Sequence, residues 1–244
     1  MTTIYYAIGG GMGHARRARR VLEALAIDAE IVASDDVPRA LEGDRDAHRQ
    51  WLADRFRGHR VIVDTFPAGI QGELSGIDDV TFDHVARLLR WDDYRSAVPH
   101  APPRFETTYV VEELMQEHEQ FLRTNSDRLT TLQLIPPATG NGQRATPFTL
   151  IVHSGPTHEL EELIAYAKEL GDEPLLVATP CAVDGVDRID TDSPADFFPA
   201  AARIVSAAGF NVMLETEAWR DKHHVVPFPR RFDDQFLRAA RRRR

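Results

Sequence analysis

The chain has 244 residues, 43% of them hydrophobic and 27% charged, with a formal net charge of -9. This composition supports a folded core and excludes wholesale disorder. The acidic balance argues against nucleic acid as a partner, because a nucleic-acid binder carries a basic domain or stripe. No apolar run approaches the ~20 residues that span a bilayer, and no secretory signal is visible. The lone Cys181 cannot close an internal disulfide, so cytoplasmic residence is the expectation.

Residues 3–8 form a compact apolar run that reads as a strand. Gly9-Gly10-Gly11-Met12-Gly13 breaks it, and from His14 onward Ala18, Val21, Leu22 and Leu25 recur on one helical face. Arg16, Arg17, Arg19 and Arg20 of that helix, and the tail Arg241, Arg242, Arg243 and Arg244, have two readings. They are a solvated face and a frayed end, or basic segments for peripheral contact with an anionic membrane or a phosphorylated acceptor. Residues 29–33 read as a second strand, 46–56 as a helix, and 60–64 as a third strand ending on the carboxylate of Asp64. A turn-rich loop follows over 65–76. The stretch 80–94 fits strand and helix equally, 107–111 reads as a strand and 113–124 as a helix.

Residues 136–142, with two prolines and two glycines, read as a linker. A second unit opens with a strand over 148–152, a turn over 153–157 and a helix carrying Leu160, Leu163, Ile164, Ala167 and Leu170, closed by Gly171 as its C′ residue. Short strands follow over 174–178, 186–189, 203–206 and 223–226, with a terminal helix over 232–240. The alternation predicts an α/β chain with mostly parallel strands. It divides into an N-terminal domain of residues 1–139 and a C-terminal domain of residues 147–244, with a hinge near 136–146.

The strongest chemical signal is the turn Gly9-Gly10-Gly11-Met12-Gly13-His14. Glycines let the backbone approach a ligand closely, and N–H groups at the start of the next helix suit an anion. The spacing is neither the dinucleotide fingerprint nor a P-loop, so the turn is either ligand-facing or structural punctuation. His14 is a candidate general base, its ordinary pKa of roughly 6.5 lying near working pH, or a helix-terminal histidine without a task. Asp64, with Glu73 nearby, is a candidate site carboxylate at a strand end or a strand-end cap. A second constellation runs through Ser206, Gly209, Asn211 and Glu215 to Asp234 and Gln235. A strand ending in small residues makes another anion-ready turn, and Glu215, placed in the first turns of the following helix, can accept both hydroxyls of a ribose or serve as an acid near a helix N-terminus. Asp234 and Gln235 either cap a helix or hold sugar hydroxyls. No metal-ligand spacing is seen, since the side chains of the adjacent His223 and His224 point apart in a strand. Phe66, Phe228 and Phe232 belong to the core or to an interface.

Together, the Gly-Gly-Gly-Met-Gly-His14 turn, the segment from Ser206 to Glu215, and Pro227 through Asp234-Gln235 resemble the GT-B glycosyltransferases, specifically the family-28-like branch that includes the lipid II-forming N-acetylglucosaminyltransferase. The resemblance implies two Rossmann-like lobes with a cleft between them, an N-terminal acceptor lobe and a C-terminal nucleotide-sugar donor lobe. It implies a metal-independent hexosyltransferase with no cofactor, using a nucleoside diphosphate sugar, UDP-linked, and an unidentified acceptor. Gly10, Gly11 and Gly13 would face the acceptor or donor phosphates, and His14 or Asp64 would assist the acceptor hydroxyl. Ser154, Gly155 and Gly209 would approach the diphosphate, with Asn211 beside them. Glu215 would hold the ribose, and Gln235, with Asp234, the donor sugar. The chain is shorter than is usual in that family. The alternatives are a nucleotide-sugar hydrolase of the same fold, a non-catalytic sugar-nucleotide-binding subunit, and a sugar-nucleotide epimerase.

Overall fold

The computed structural model describes residues 2–9, 13–140, 142 and 146–243. The chain divides into two compact units, Met1–Ile135 with Arg231–Asp233, and Pro136–Arg230 with Asp234–Arg244.

The first unit runs β1 (Thr3–Ala7), α1 (Gly13–Leu25), β2 (Glu30–Ala33), α2 (Arg45–Phe56), β3 (Arg60–Asp64), β4 (Thr81–Ala86), α3 (Trp91–Ala97), β5 (Phe105–Val110), α4 (Gln116–Asn125) and β6 (Ser126–Thr131). The six strands are parallel in the order β2-β1-β3-β4-β5-β6. A parallel sheet is covered on both faces, which is why Val61, Ile62 and Val63 form an unbroken apolar run. Ile4, Tyr6 and Ile8 share a core with Val61, Val63, Phe82 and Phe105, and with Leu52 and Phe56 of α2. Tyr5 and Ile62, one residue out of phase, are equally buried and belong to the opposite face.

The stretch 80–94, left open between strand and helix, resolves into β4 and then α3. Asp44 caps α2 by accepting a hydrogen bond from the Ala47 amide at 3.0 Å. The loop after β3 is pinned from within. Buried Glu73 accepts hydrogen bonds from Tyr6 Oη (2.9 Å) and from the amides of Ile70 (3.1 Å) and Gln71 (2.8 Å). Tyr94 Oη accepts from the Ala68 amide and donates to the Gly69 carbonyl. Phe66, Tyr94 and Phe232 pack together beside this loop, so Phe66 and Phe232 are core residues.

The second unit runs β7 (Thr149–Val152), α5 (Thr157–Leu170), β8 (Leu175–Ala178), β9 (Asp187–Ile189), β10 (Arg203–Ala207), α6 (Phe210–Glu215), β11 (His223–Val226) and α7 (Gln235–Arg242). Its five parallel strands take the order β11-β10-β7-β8-β9, the doubly wound arrangement in which the first strand is central. Leu160, Leu163 and Ala167 of α5 pack with Ile151, Val177, Val205 and Phe228. Gly171 ends α5 in an extended conformation, not the left-handed one expected of a C′ glycine (φ 165°). The terminal helix starts at Gln235, later than expected, because Asp234 caps it through the Leu237 amide at 2.9 Å. The protein is therefore an α/β chain with two parallel sheets flanked by helices. Among the described residues, no helix is long and apolar enough to cross a membrane.

Candidate active site

In a parallel sheet, ligands bind at the carboxyl ends of strands where the order reverses. In the first unit that switch lies between β1, which leads to β2 on one side, and β3 on the other. Asp64 is the last residue of β3, and His14 stands at the start of α1, just beyond the turn after β1. The fold joins them, with His14 Nδ1 2.6 Å from Asp64 Oδ2.

Asp64 is the hub of a buried cluster. Its Oδ1 accepts from Tyr5 Oη (3.0 Å) and Arg17 Nε (2.9 Å). Its Oδ2 accepts from Arg17 Nη2, His14 Nδ1 and, at 3.3 Å, Thr65 Oγ1. Thr65 Oγ1 in turn accepts from Arg17 Nη2 (2.8 Å) and Arg87 Nε (3.1 Å), and Arg87 pairs with Asp233. Thr65 has a left-handed backbone (φ 68°), a costly conformation for a β-branched residue. Strain held by several hydrogen bonds at a strand end is characteristic of functional positions.

Electrostatics follow from this geometry. Burial alone would raise the Asp64 carboxyl, but the Arg17 guanidinium and His14 outweigh it and hold the group well below the usual carboxylate range. Burial would lower Arg17, yet Asp64 overrides it and the guanidinium is held more firmly charged than usual. Burial, then Asp64, raise the Tyr5 hydroxyl well above 10.0, so it remains a donor. His14 is lowered from 6.5, first by burial, with Arg17 and Arg87 adding to the effect and Asp64 partly offsetting it. A 2.6 Å separation between a ring nitrogen and a carboxylate oxygen requires the shared proton to lie between them. The neutral imidazole thus carries its proton on Nδ1 and keeps a lone pair on Nε2.

Nε2 faces the turn. A Cβ placed on Gly9 would fall on the His14 ring, nearest Nε2. Ser34 Oγ clamps Gly9 by accepting from its amide at 3.1 Å and donating to its carbonyl at 3.0 Å. Gly9→Ala is therefore expected to push the imidazole off Asp64 and cut any activity that uses it by about 10²-fold, the scale of a 1 Å misplacement. Loss of the downfield Nδ1 proton resonance of His14 would report the displacement directly. Gly13 opens α1, while Gly10 and Gly11 lie outside the described residues.

In the second unit the order reverses between β7 and β10. Ser154 and Gly155 form the turn after β7, Gly209 is the N-cap of α6 and Asn211 lies in its first turn. Glu215 is the last residue of the six-residue α6, within its second turn, and it is buried. Asp234 spends an oxygen on its capping bond, and Gln235 Oε1 accepts from the Phe228 amide at 3.0 Å. Phe228 itself is core.

One residue that the sequence reading passed over is His153, directly after β7. It is buried and its Nε2 has no hydrogen-bond partner, although Glu159 Oε2 lies 3.4 Å away. Burial lowers its pKa, with Glu159 partly offsetting. Glu159 is held by both terminal nitrogens of Arg230, with Nη2 2.6 Å from Oε2. A Cβ at Gly155 would lie 2.8 Å from His153 Nε2 and 3.1 Å from Glu159 Oε2, so glycine is needed for this close approach.

The arginine clusters also read differently in three dimensions. Arg17 is buried on Asp64 rather than solvated. Arg242 is not part of a frayed end, since it donates to the carbonyls of Met213 and Thr216 near the end of α6, and Arg238 donates to the Ala208 carbonyl at 2.8 Å. Among the described residues, no three His, Cys, Asp or Glu side chains group as metal ligands. No protein-family model, curated protein or solved structure matches the chain.

Proposed function

We propose that the protein is a glycosyltransferase that moves a sugar from a nucleoside diphosphate, UDP by the sequence resemblance, to an acceptor hydroxyl without a metal ion. The observation that carries the reading is the His14–Asp64 pair at 2.6 Å, set at the reversal point of a parallel sheet with Nε2 turned to Gly9. His14 Nε2 takes the acceptor proton as the acceptor oxygen attacks the anomeric carbon. The bond from that carbon to the diphosphate breaks, and its electron pair leaves with the diphosphate. Asp64, permanently ionised, fixes the tautomer and offsets the charge of the imidazolium, the division of labour of a histidine–carboxylate pair. Residues 1–139 are assigned to the acceptor and 147–244 to the donor. The donor diphosphate is assigned to the Ser154–Gly155 turn ahead of α5, where helix amides supply donors. Gly209 and Glu215 are the further donor-side positions.

The test is thermal stability of the full chain against a panel of nucleotides and nucleotide sugars, followed by product analysis with any that bind. A ligand at 100 times its Kd adds about 2.7 kcal/mol to folding. A selective shift, weakened in Glu215→Ala, is the expected result. Free sugar without an acceptor would assign water as the acceptor and make the protein a nucleotide-sugar hydrolase. No shift with any nucleotide overturns the reading.

A further inference from the structure

Arg17 lies one helical turn after His14, and the two side chains meet the same carboxylate. Nη2 of Arg17 and Nδ1 of His14 both bind Asp64 Oδ2 and stand 3.0 Å from each other. Because Nδ1 carries the proton shared with Asp64, the guanidinium does not donate to it. The 3.0 Å approach is instead the juxtaposition of a fixed cation with a ring that becomes cationic on protonation. Arg17 Nε on Oδ1 completes a two-pronged grip that holds the carboxylate plane, and Thr65 Oγ1 anchors Nη2 from its other side.

We infer that Arg17 is the positioning residue of the His14–Asp64 pair: it fixes the carboxylate toward the imidazole and, by its charge, keeps His14 in the unprotonated form that a base requires. This rests on the reading of His14 as a base and assigns it a regulator on the same helix. Among the described residues, the titratable and charged groups around the pair include Tyr5 from β1, Arg17 from α1, His84 from β4, which burial keeps neutral, and Arg87 after β4, itself paired with Asp233. Tyr5 is a neutral donor, and Arg87 is balanced by its own carboxylate. Arg17 is therefore the cation whose removal changes the local balance most. A merely structural Arg17 would support the fold of this cluster without setting the protonation of His14.

The test is NMR titration of the full chain with isotope-labelled histidine, for wild type, Arg17→Gln and Arg17→Lys. Wild-type His14 should titrate below the ordinary 6.5. In Arg17→Gln, Asp64 keeps its pull on His14 against burial and Arg87 only, and the midpoint should rise by about one pH unit. Arg17→Lys keeps the charge and should keep most of the depression. Where turnover is measurable, the acidic limb of kcat/KM should move with the midpoint, costing about tenfold at a pH one unit below it. An unchanged midpoint in Arg17→Gln overturns the inference. A wild-type midpoint above 6.5 also overturns it, and that measurement needs no variant to fold. If the midpoint moves but no nucleotide sugar is turned over at any pH, the positioning role stands and the transferase reading falls.

Discussion

Asp64→Asn should reduce turnover by about 10³- to 10⁴-fold, the scale seen when the carboxylate behind a catalytic histidine loses its charge. The loss follows from the tautomer. An asparagine placed among Tyr5, Arg17 and His14 keeps one carbonyl oxygen, which Arg17 claims, and turns its amide N–H toward His14 Nδ1. The ring must then carry its proton on Nε2, where a base needs a lone pair. Raising the pH cannot restore activity, because the wrong tautomer is already neutral. The same substitution leaves the Arg17 guanidinium buried beside an uncharged partner, and breaking a buried pair on one side costs about 3–5 kcal/mol. His14→Ala separates the two effects. It removes the base while leaving the Arg17–Asp64 pair intact, so it should lose a comparable factor in rate with a smaller loss of stability. Initial rates and denaturant unfolding of both variants provide the check. An Asp64→Asn protein that is destabilised yet turns over normally would make the cluster an ion pair of the fold and nothing more.

Much of this site was legible in the sequence, but as separate pieces. The glycine break after residues 3–8, the histidine opening a helix, and a strand closing on Asp64 each have local signatures. Their meeting does not, because it depends on β1 and β3 being neighbours, a matter of strand order that alternation alone leaves open. Arg17 shows the limit most clearly. Four arginines in five positions of an amphipathic helix read as a solvated face, and only a carboxylate 47 residues away makes one of them a core residue. In hindsight the i, i+3 spacing of His14 and Arg17, which puts both on one helix face, was the available signal. The strand β4 was ambiguous for a similar reason. Its interior polar residues, Asp83 and His84, find hydrogen-bond partners remote in sequence, although His84 Nδ1 has none. Asp83 accepts from Arg60 Nε (2.6 Å) and the Thr107 amide (3.0 Å), and His84 Nε2 lies 3.2 Å from the Thr65 carbonyl. The strand β6 (SDRLTT) lies at the sheet edge, where a polar sequence is admissible and leaves little apolar period to read.

Acid should weaken the first unit from about pH 6.5 downward, because His84 and His118 are fully buried. His118 stacks on Trp91 at 4.1 Å with an interplanar angle of 14°, and neither of its ring nitrogens has a hydrogen-bond partner. His84 stacks on Phe105 at 4.9 Å. Burial pushes His84 down to about 4, with the Thr65 carbonyl and Asp64 partly offsetting it. It pushes His118 to about 3, with His84 adding to the effect. In the unfolded chain both rings titrate near 6.5, so below that pH the unfolded state binds more protons than the folded state. Stability is then fully present above 6.5 and falls as pH falls, the His84 contribution being exhausted near 4 and the His118 contribution near 3. Together they amount to several kcal/mol, a large share of the stability of a single domain. The carboxylate of Asp64, held far below its ordinary range by Arg17, adds its own loss only below its unfolded value of 3.8, so Asp64 does not contribute to the fall above about pH 4.5. His118→Phe isolates one of the two histidines. Phenylalanine can take the same stacking position on Trp91 and has no proton to bind, so the variant should match or exceed wild type in acid and show a shallower fall in stability from about pH 7 to pH 4.5. Identical slopes for the two proteins across that window would mean that the His118 ring gains no proton on unfolding there, and the acid sensitivity would have to come from other groups.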